Sequence, residues 1–192
     1  MTAENYPALF DRALGHEGGY TNDRRDPGNW TDGKVGVGVL KGTKFGIAAN
    51  TFPNLDIKNL TAAQARKIYK DLYWDKVKGD EFPAGIDWAV FDYAINSGPF
   101  RAIVGLQRAL GVADDGKIGP VTLAAIQKAN PRKLVNALCD ERLKLVKSLK
   151  HWPTYRNGSS RRVSEVRAAA LSMTDAPPTL LARATSLLKR VA

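Results

Sequence analysis

The stretch GIDWAVFDYAINSG, residues 85–98, constrains the fold of this chain more than any other. It is apolar on nearly all sides at helical spacing, so a helix formed there has no face for water and must be surrounded by other elements. Asp92 lies inside it. The segments that follow supply such neighbours: Pro99 opens FRAIVGLQRALGV, a DDGKIG turn comes next, Pro120 opens VTLAAIQKA, and Asn130-Pro131 opens RKLVNALCDERLKLVKSLK. A first-turn proline lacks only an N–H that would go unsatisfied there anyway, so each marks a helix start. The expectation is a mainly α fold with a central buried helix.

The N-terminal half is more varied. Tyr6, Leu9, Phe10, Ala13 and Leu14 recur at helical spacing, and Gly18-Gly19 follow as a stop. Glu17 continues that apolar stripe in the last turn. Residues 21–55 are rich in Gly, Asn, Asp and Pro, and alternation at Val35, Val37 and Val39 predicts a small β-hairpin at about 34–48 among loops. Thr61 and Gln64 have the spacing of a capping box, ahead of a stripe at Ala65, Ile68, Leu72 and Tyr73. HWPTYRNGSS (151–160) reads as a loop and SRRVSEVRAAALSM as a helix. After Pro177-Pro178, residues 179–191 read as a short basic amphipathic helix, with Leu180, Leu181, Ala184, Leu187, Leu188 and Val191 on one face.

Length and charge narrow the function. With 192 residues the chain suits one main core. No run approaches the roughly 18 apolar residues of a spanning helix, and the first residues lack the basic and apolar regions of a secretory signal. Synthesis in a cytoplasm without a signal peptide is therefore expected. Cys139, His16 and His151 are the only residues of their types, which excludes an intrachain disulfide framework and leaves little for a zinc site. No metal and no cofactor are expected. Residues 1–100 hold twelve Lys and Arg against thirteen Asp and Glu, whereas residues 101–192 hold seventeen against six. That asymmetry suits a half that holds a polyanion beside a half that does chemistry; a cationic surface without a partner is the alternative.

Among the chemistries available, nucleophilic templates fail: neither histidine carries a local signature, and Cys139 lies mid-helix among apolar residues. The glycines at 36, 38, 42 and 46 lack P-loop spacing. Carboxylates remain, and Glu17 leads them. Partial burial on the apolar stripe and the negative end of the helix dipole both favour its protonated form, which a general acid needs. The alternative is an ordinary helix-terminal glutamate paired with Arg24 or Arg25.

Several motifs in order resemble glycoside hydrolase family 108, a family of peptidoglycan muramidases that includes phage and prophage endolysins. They are His16-Glu17-Gly18-Gly19-Tyr20 with Asn22, Asp26-Pro27-Gly28, Gly42-Thr43-Lys44-Phe45-Gly46-Ile47, and Ala65, Tyr69 and Tyr73-Trp74-Asp75. Phe91-Asp92-Tyr93-Ala94-Ile95-Asn96-Ser97-Gly98, Leu106-Gln107 and Asp115-Gly116-Lys117-Ile118-Gly119-Pro120-Val121-Thr122 complete the set. The resemblance implies a lysozyme-like helical fold with Glu17 as catalytic acid. The second carboxylate would come from Asp26, Asp23, Asp32 or Asp92. Asp26 is favoured because it follows Glu17 by nine residues across a sharp turn; capping that turn is its other reading. Tyr20, Trp30, Tyr93 and Asn96 are candidates for holding sugars, and each could instead be core.

The resemblance divides the chain into a catalytic region 1–98, a helical peptidoglycan-binding-like region 99–175 and the tail 176–192. It departs from the family pattern in the longer 29–42 segment, at Ala48, and at 157–162, where a tryptophan is missing. The implied partner is bacterial peptidoglycan, reached in the periplasm or cell wall after release by a holin or another route. No nucleic-acid partner and a monomeric state are expected. Residues 179–191 would either press on anionic lipid or dock on the core. A lytic transglycosylase and a non-catalytic cationic wall- or membrane-binding protein are the competing functions.

Overall fold

The structure, a computed structural model, describes residues 5–14, 19–150 and 152–175. Seven α-helices and one two-stranded antiparallel sheet are present among these residues. The helices are α1 (Tyr6–Leu14), α2 (Ala62–Tyr69), α3 (Ile86–Ser97), α4 (Pro99–Leu110), α5 (Pro120–Lys128), α6 (Pro131–Ser148) and α7 (Trp152–Asp175). The strands are β1 (Thr43–Lys44) and β2 (Ile47–Ala48), with Thr43 opposite Ala48 and Lys44 opposite Ile47. None of the described helices is long and apolar enough to cross a membrane. Glu17, His16, His151 and the segment 179–191 lie outside the described residues.

The described residues divide into two compact units, Tyr6–Leu72 and a larger one that holds Asn5 and the residues from Tyr73 to Asp175. In the smaller unit, Phe10 of α1 meets Tyr69 of α2 edge-on, with ring centroids 5.3 Å apart, and Arg66 of α2 forks onto Asp11. The capping box at α2 is formed: Gln64 N–H donates to the Thr61 hydroxyl at 3.2 Å, and Thr61 N–H donates to the Gln64 side chain at 2.9 Å. The stripe beyond it changes phase. A π turn at Lys70–Trp74 adds a residue to the helical repeat, so Trp74 is buried while Leu72 is exposed.

The hairpin is also shorter than its valines suggest. Val35, Val37 and Val39 are exposed and form no strand. Gly33 before them and Gly36 and Gly38 between them have φ of 67°, 79° and 80°, a left-handed backbone that breaks the pleat into successive turns. Pairing starts only at β1, with isolated bridges joining Thr21 to Thr43 and Trp30 to Leu40.

In the larger unit α3 is the central helix. Nine successive residues, Ile86 to Ala94, are buried, and α4, α6 and α7 pack around them. Its start is fixed by the buried Asp87, whose Oδ1 accepts from Gly85 N–H at 2.8 Å and Trp88 N–H at 2.7 Å. Trp74 packs edge-on against Phe91 at 5.3 Å. The boundary between the compact units falls at Tyr73, whereas the sequence division falls at 98/99. The prolines at 99, 120 and 131 each open a helix, and Asn130 caps α6 by accepting from Lys133 N–H at 3.0 Å.

Residues 152–160 correct the sequence expectation of a loop, since they form the first turns of α7. Pro153 sits in the first turn, where its missing N–H costs nothing. Trp152, Ser159 and Val163 then turn toward α6 and the end of α3, so tertiary packing outweighs the weak helix propensity of Asn157, Gly158 and Ser159.

Candidate functional site

In the smaller unit, the polar segment 20–50 is organised around a buried asparagine. Asn29 donates its side-chain amide to Asp23 O at 3.0 Å and accepts from the Thr43 hydroxyl at 2.7 Å; its own carbonyl accepts from Lys41 and Gly42 N–H, both at 3.0 Å. One residue thereby ties three passes of chain together, which a loop of this length needs because it has little apolar surface of its own. Gly42 allows the closest approach. At φ 81° a Cβ there would stand 2.3 Å from Thr21 O and 2.6 Å from the Tyr20 ring. Tyr20 is half-buried against this turn, and Trp30 is half-buried with its indole N–H donating to Arg24 O at 2.9 Å.

The four aspartates weighed as a second carboxylate occupy different environments. Asp26 is exposed, and its Oδ1 accepts from Gly28 N–H at 2.8 Å, capping the 3₁₀ turn Pro27–Asn29. Its Oδ2 takes no hydrogen bond from any described residue. Asp23 is clamped by Arg25, whose Nε and Nη2 reach it at 3.0 and 2.8 Å; those hydrogen bonds hold its pKa down at about 2. Asp32 is exposed and accepts from the Thr31 hydroxyl at 3.2 Å. Asp92 is sealed in the larger unit between two guanidinium groups, Arg142 Nη1 at 2.7 Å and Arg162 Nη2 at 2.7 Å.

Tyr93 and Asn96, three apart on α3, face two different grooves of the larger unit. Asn96 donates to Asp92 O at 2.7 Å and lines a groove of ≈ 210 Å³ with Arg142, Trp152, Tyr155, Ser159 and Arg162. Tyr93 is buried and lines a second groove of ≈ 310 Å³ between α4 and α6. Its surroundings push its pKa up to about 12, because burial penalises the phenolate. Sequence reasoning missed Trp152 and Tyr155, since reading 151–160 as a loop hid the helical spacing that aligns them with Arg162 of the expected helix.

The turn after α4 has its own buried polar centre. The Gln107 amide donates to Asp115 Oδ1 at 2.7 Å and Lys117 O at 3.0 Å, while its Oε1 accepts from Gly116 N–H at 2.9 Å. Gly116 has φ 73°, and a Cβ there would lie 2.3 Å from the Phe100 ring. The motif Gln107 with Asp115-Gly116 is thus a locked turn joining α4 to α5.

Two family models match the chain in tandem: one described as glycosyl hydrolase 108 over residues 10–98, and one described as a predicted peptidoglycan domain over residues 101–158. Among solved structures, SagA of Brucella abortus is 38% identical, with a TM-score of 0.71, over 91% of this chain and 95% of that one. The chain belongs to glycosyl hydrolase family 108. No curated protein sequence matches it. As a family 108 member with a peptidoglycan domain it is a peptidoglycan-degrading glycosidase, with a mainly α, lysozyme-like fold. The hydrolase match spans Glu17, Tyr20, Asp26, Trp30, Tyr93 and Asn96, and the peptidoglycan-domain match spans the Gln107 turn and most of the groove between α4 and α6.

Proposed function

We propose that this family 108 member is a muramidase that hydrolyses the β-1,4 bond between N-acetylmuramic acid and N-acetylglucosamine. Glu17 protonates the leaving oxygen, and Asp26 assists the attacking water or the oxocarbenium-like transition state on the opposite face. The observation that carries this reading is the hydrolase match across residues 10–98, which includes Glu17-Gly18-Gly19-Tyr20 and Asp26-Pro27-Gly28. Asp26 suits the second role because it is exposed, held by one backbone N–H through Oδ1, and keeps Oδ2 clear of the described residues. Asp23 and Asp92 suit it less, since guanidinium groups occupy their carboxylates. Tyr20 and Trp30 stand beside Asp26 in sequence as sugar-stacking groups. An endolysin released by a holin is the biological setting this activity fits, with wall peptidoglycan as the substrate.

Mass spectrometry of fragments released from purified peptidoglycan tests the reading. Wild type should release reducing N-acetylmuramic ends, and Glu17→Gln should release none. Anhydromuramic ends would make the chain a lytic transglycosylase, and fragments unchanged by Glu17→Gln would remove Glu17 from the chemistry.

A further inference from the structure

The groove between α4 and α6 combines a buried hydroxyl with an exposed aromatic ring and surplus positive charge. Tyr93 is 2% exposed, lies on the floor, and its hydroxyl makes no hydrogen bond to any described residue. The approach of that ring depends on Gly105 of α4, where a Cβ would stand 2.8 Å from Tyr93 Cε1 and 3.2 Å from its hydroxyl. Arg142 backs the ring from the core side, with its guanidinium 5.4 Å from the centroid. At the rim, Phe100 is 65% exposed.

Three cations line the walls. Arg108 Nε is held by Asp114 at 2.7 Å, and Lys144 Nζ by Glu141 at 2.6 Å. Arg101, on the first turn of α4, is exposed and makes no ion pair among the described residues. The groove therefore carries a net positive charge that sits at Arg101. Its volume, ≈ 310 Å³, is at the small end of the about 300–1,000 Å³ usual for ligand sites, room for a sugar with a short appended chain.

From this arrangement we infer that the α4–α6 groove binds the carboxylate-bearing peptide stem of peptidoglycan, with Arg101 receiving the carboxylate, Tyr93 donating its hydroxyl hydrogen to a stem carbonyl, and Phe100 covering the apolar stem carbons. A cation on the wall, a donor on the floor and an aromatic rim match an acidic peptide on a sugar better than a neutral glycan, which would leave Arg101 without a counterion. The inference rests on the proposed wall substrate and adds the part of it this groove reads.

The test is binding of N-acetylmuramyl-alanyl-isoglutamine to the full chain by isothermal titration. This probe has one carboxylate and no glycosidic bond, so its binding is read independently of whether the chain is a muramidase. Binding should weaken about tenfold in Arg101→Ala and about threefold in Tyr93→Phe, the sizes expected for a charged and a neutral hydrogen bond. The methyl ester of the probe should bind wild type about tenfold more weakly and Arg101→Ala no worse than the free acid does. Arg101 is exposed, so Arg101→Ala keeps its fold and the comparison holds even where Tyr93→Phe is destabilised. Equal binding of N,N′-diacetylchitobiose, binding indifferent to Arg101→Ala, or no binding at all would overturn the inference.

Discussion

Asp92 Oδ2 and Arg142 Nη1 are 2.7 Å apart in an ion pair whose side chains are 1% and 4% exposed. Arg162, with 40% of its side chain exposed, closes on the other oxygen at 2.7 Å. One carboxylate from α3 thus holds α6 and α7 to the central helix. Such a pair contributes little over an apolar replacement, but removing one partner leaves the buried charge under-paired. Arg142→Met leaves Asp92 with Arg162 alone and should cost about 1–3 kcal/mol in urea unfolding. The double variant Asp92→Leu, Arg142→Met should recover more than half of that loss, because Arg162 can turn to water.

The Gln107 turn makes a separate prediction. Gln107→Leu would leave the Gly116 N–H and the Lys117 carbonyl without their partner, a loss of about 2–3 kcal/mol by chemical denaturation. It would also release Asp115. The hydrogen bonds from Gln107, and then from Lys117 N–H, hold the Asp115 pKa below its ordinary value. A depressed folded-state pKa contributes stability that is present above about pH 4 and lost as pH falls toward the folded value. Below pH 4 the gap between wild type and Gln107→Leu should therefore narrow.

The parts of this fold legible in the sequence were those set by local chemistry. Apolar residues on nearly all sides of 85–98 allowed only a surrounded helix, and the prolines at 99, 120 and 131 could open helices and do little else. Alternation at 35–39 misled because a positive φ at each intervening glycine cannot be read from the valines themselves. Residues 152–160 look like a loop in isolation and become helix only when α3 and α6 are there to pack against. The same limit applied to the grooves: Tyr93, Arg101 and Lys144 meet only after three helices assemble, so no motif joined them.

Gly42 should be the least replaceable residue of the segment carrying Asp26. Gly42→Ala combines a left-handed backbone with a Cβ 2.3 Å from Thr21 O, and we expect a loss of about 3 kcal/mol. Intrinsic fluorescence of Trp30, which is tied to Arg24 in the same segment, should report the change.

Alkaline stability should carry the signature of Tyr93. Its phenol titrates near 12 in the folded chain because burial penalises the charged form, against about 10 when unfolded. The folded state therefore keeps a proton the unfolded state has lost, so this group leaves stability untouched below pH 10 and lowers it as pH rises from 10 to 12. Tyr93→Phe should lose less stability over that interval than wild type, as measured by melting temperature at each pH.

Asp26→Asn separates the two roles open to this residue. An asparagine oxygen can still accept from Gly28 N–H, so the cap on Pro27–Asn29 survives and the melting temperature should stay within about 2 °C of wild type. The negative charge does not survive. Loss of a carboxylate that activates water or supports the transition state should lower the release of soluble peptidoglycan fragments by about 100-fold or more. Asp23→Asn, which removes a carboxylate already occupied by Arg25, should change it less than about twofold. If both variants retain wild-type release, Asp26 is a cap alone, and Asp32 becomes the carboxylate to substitute next.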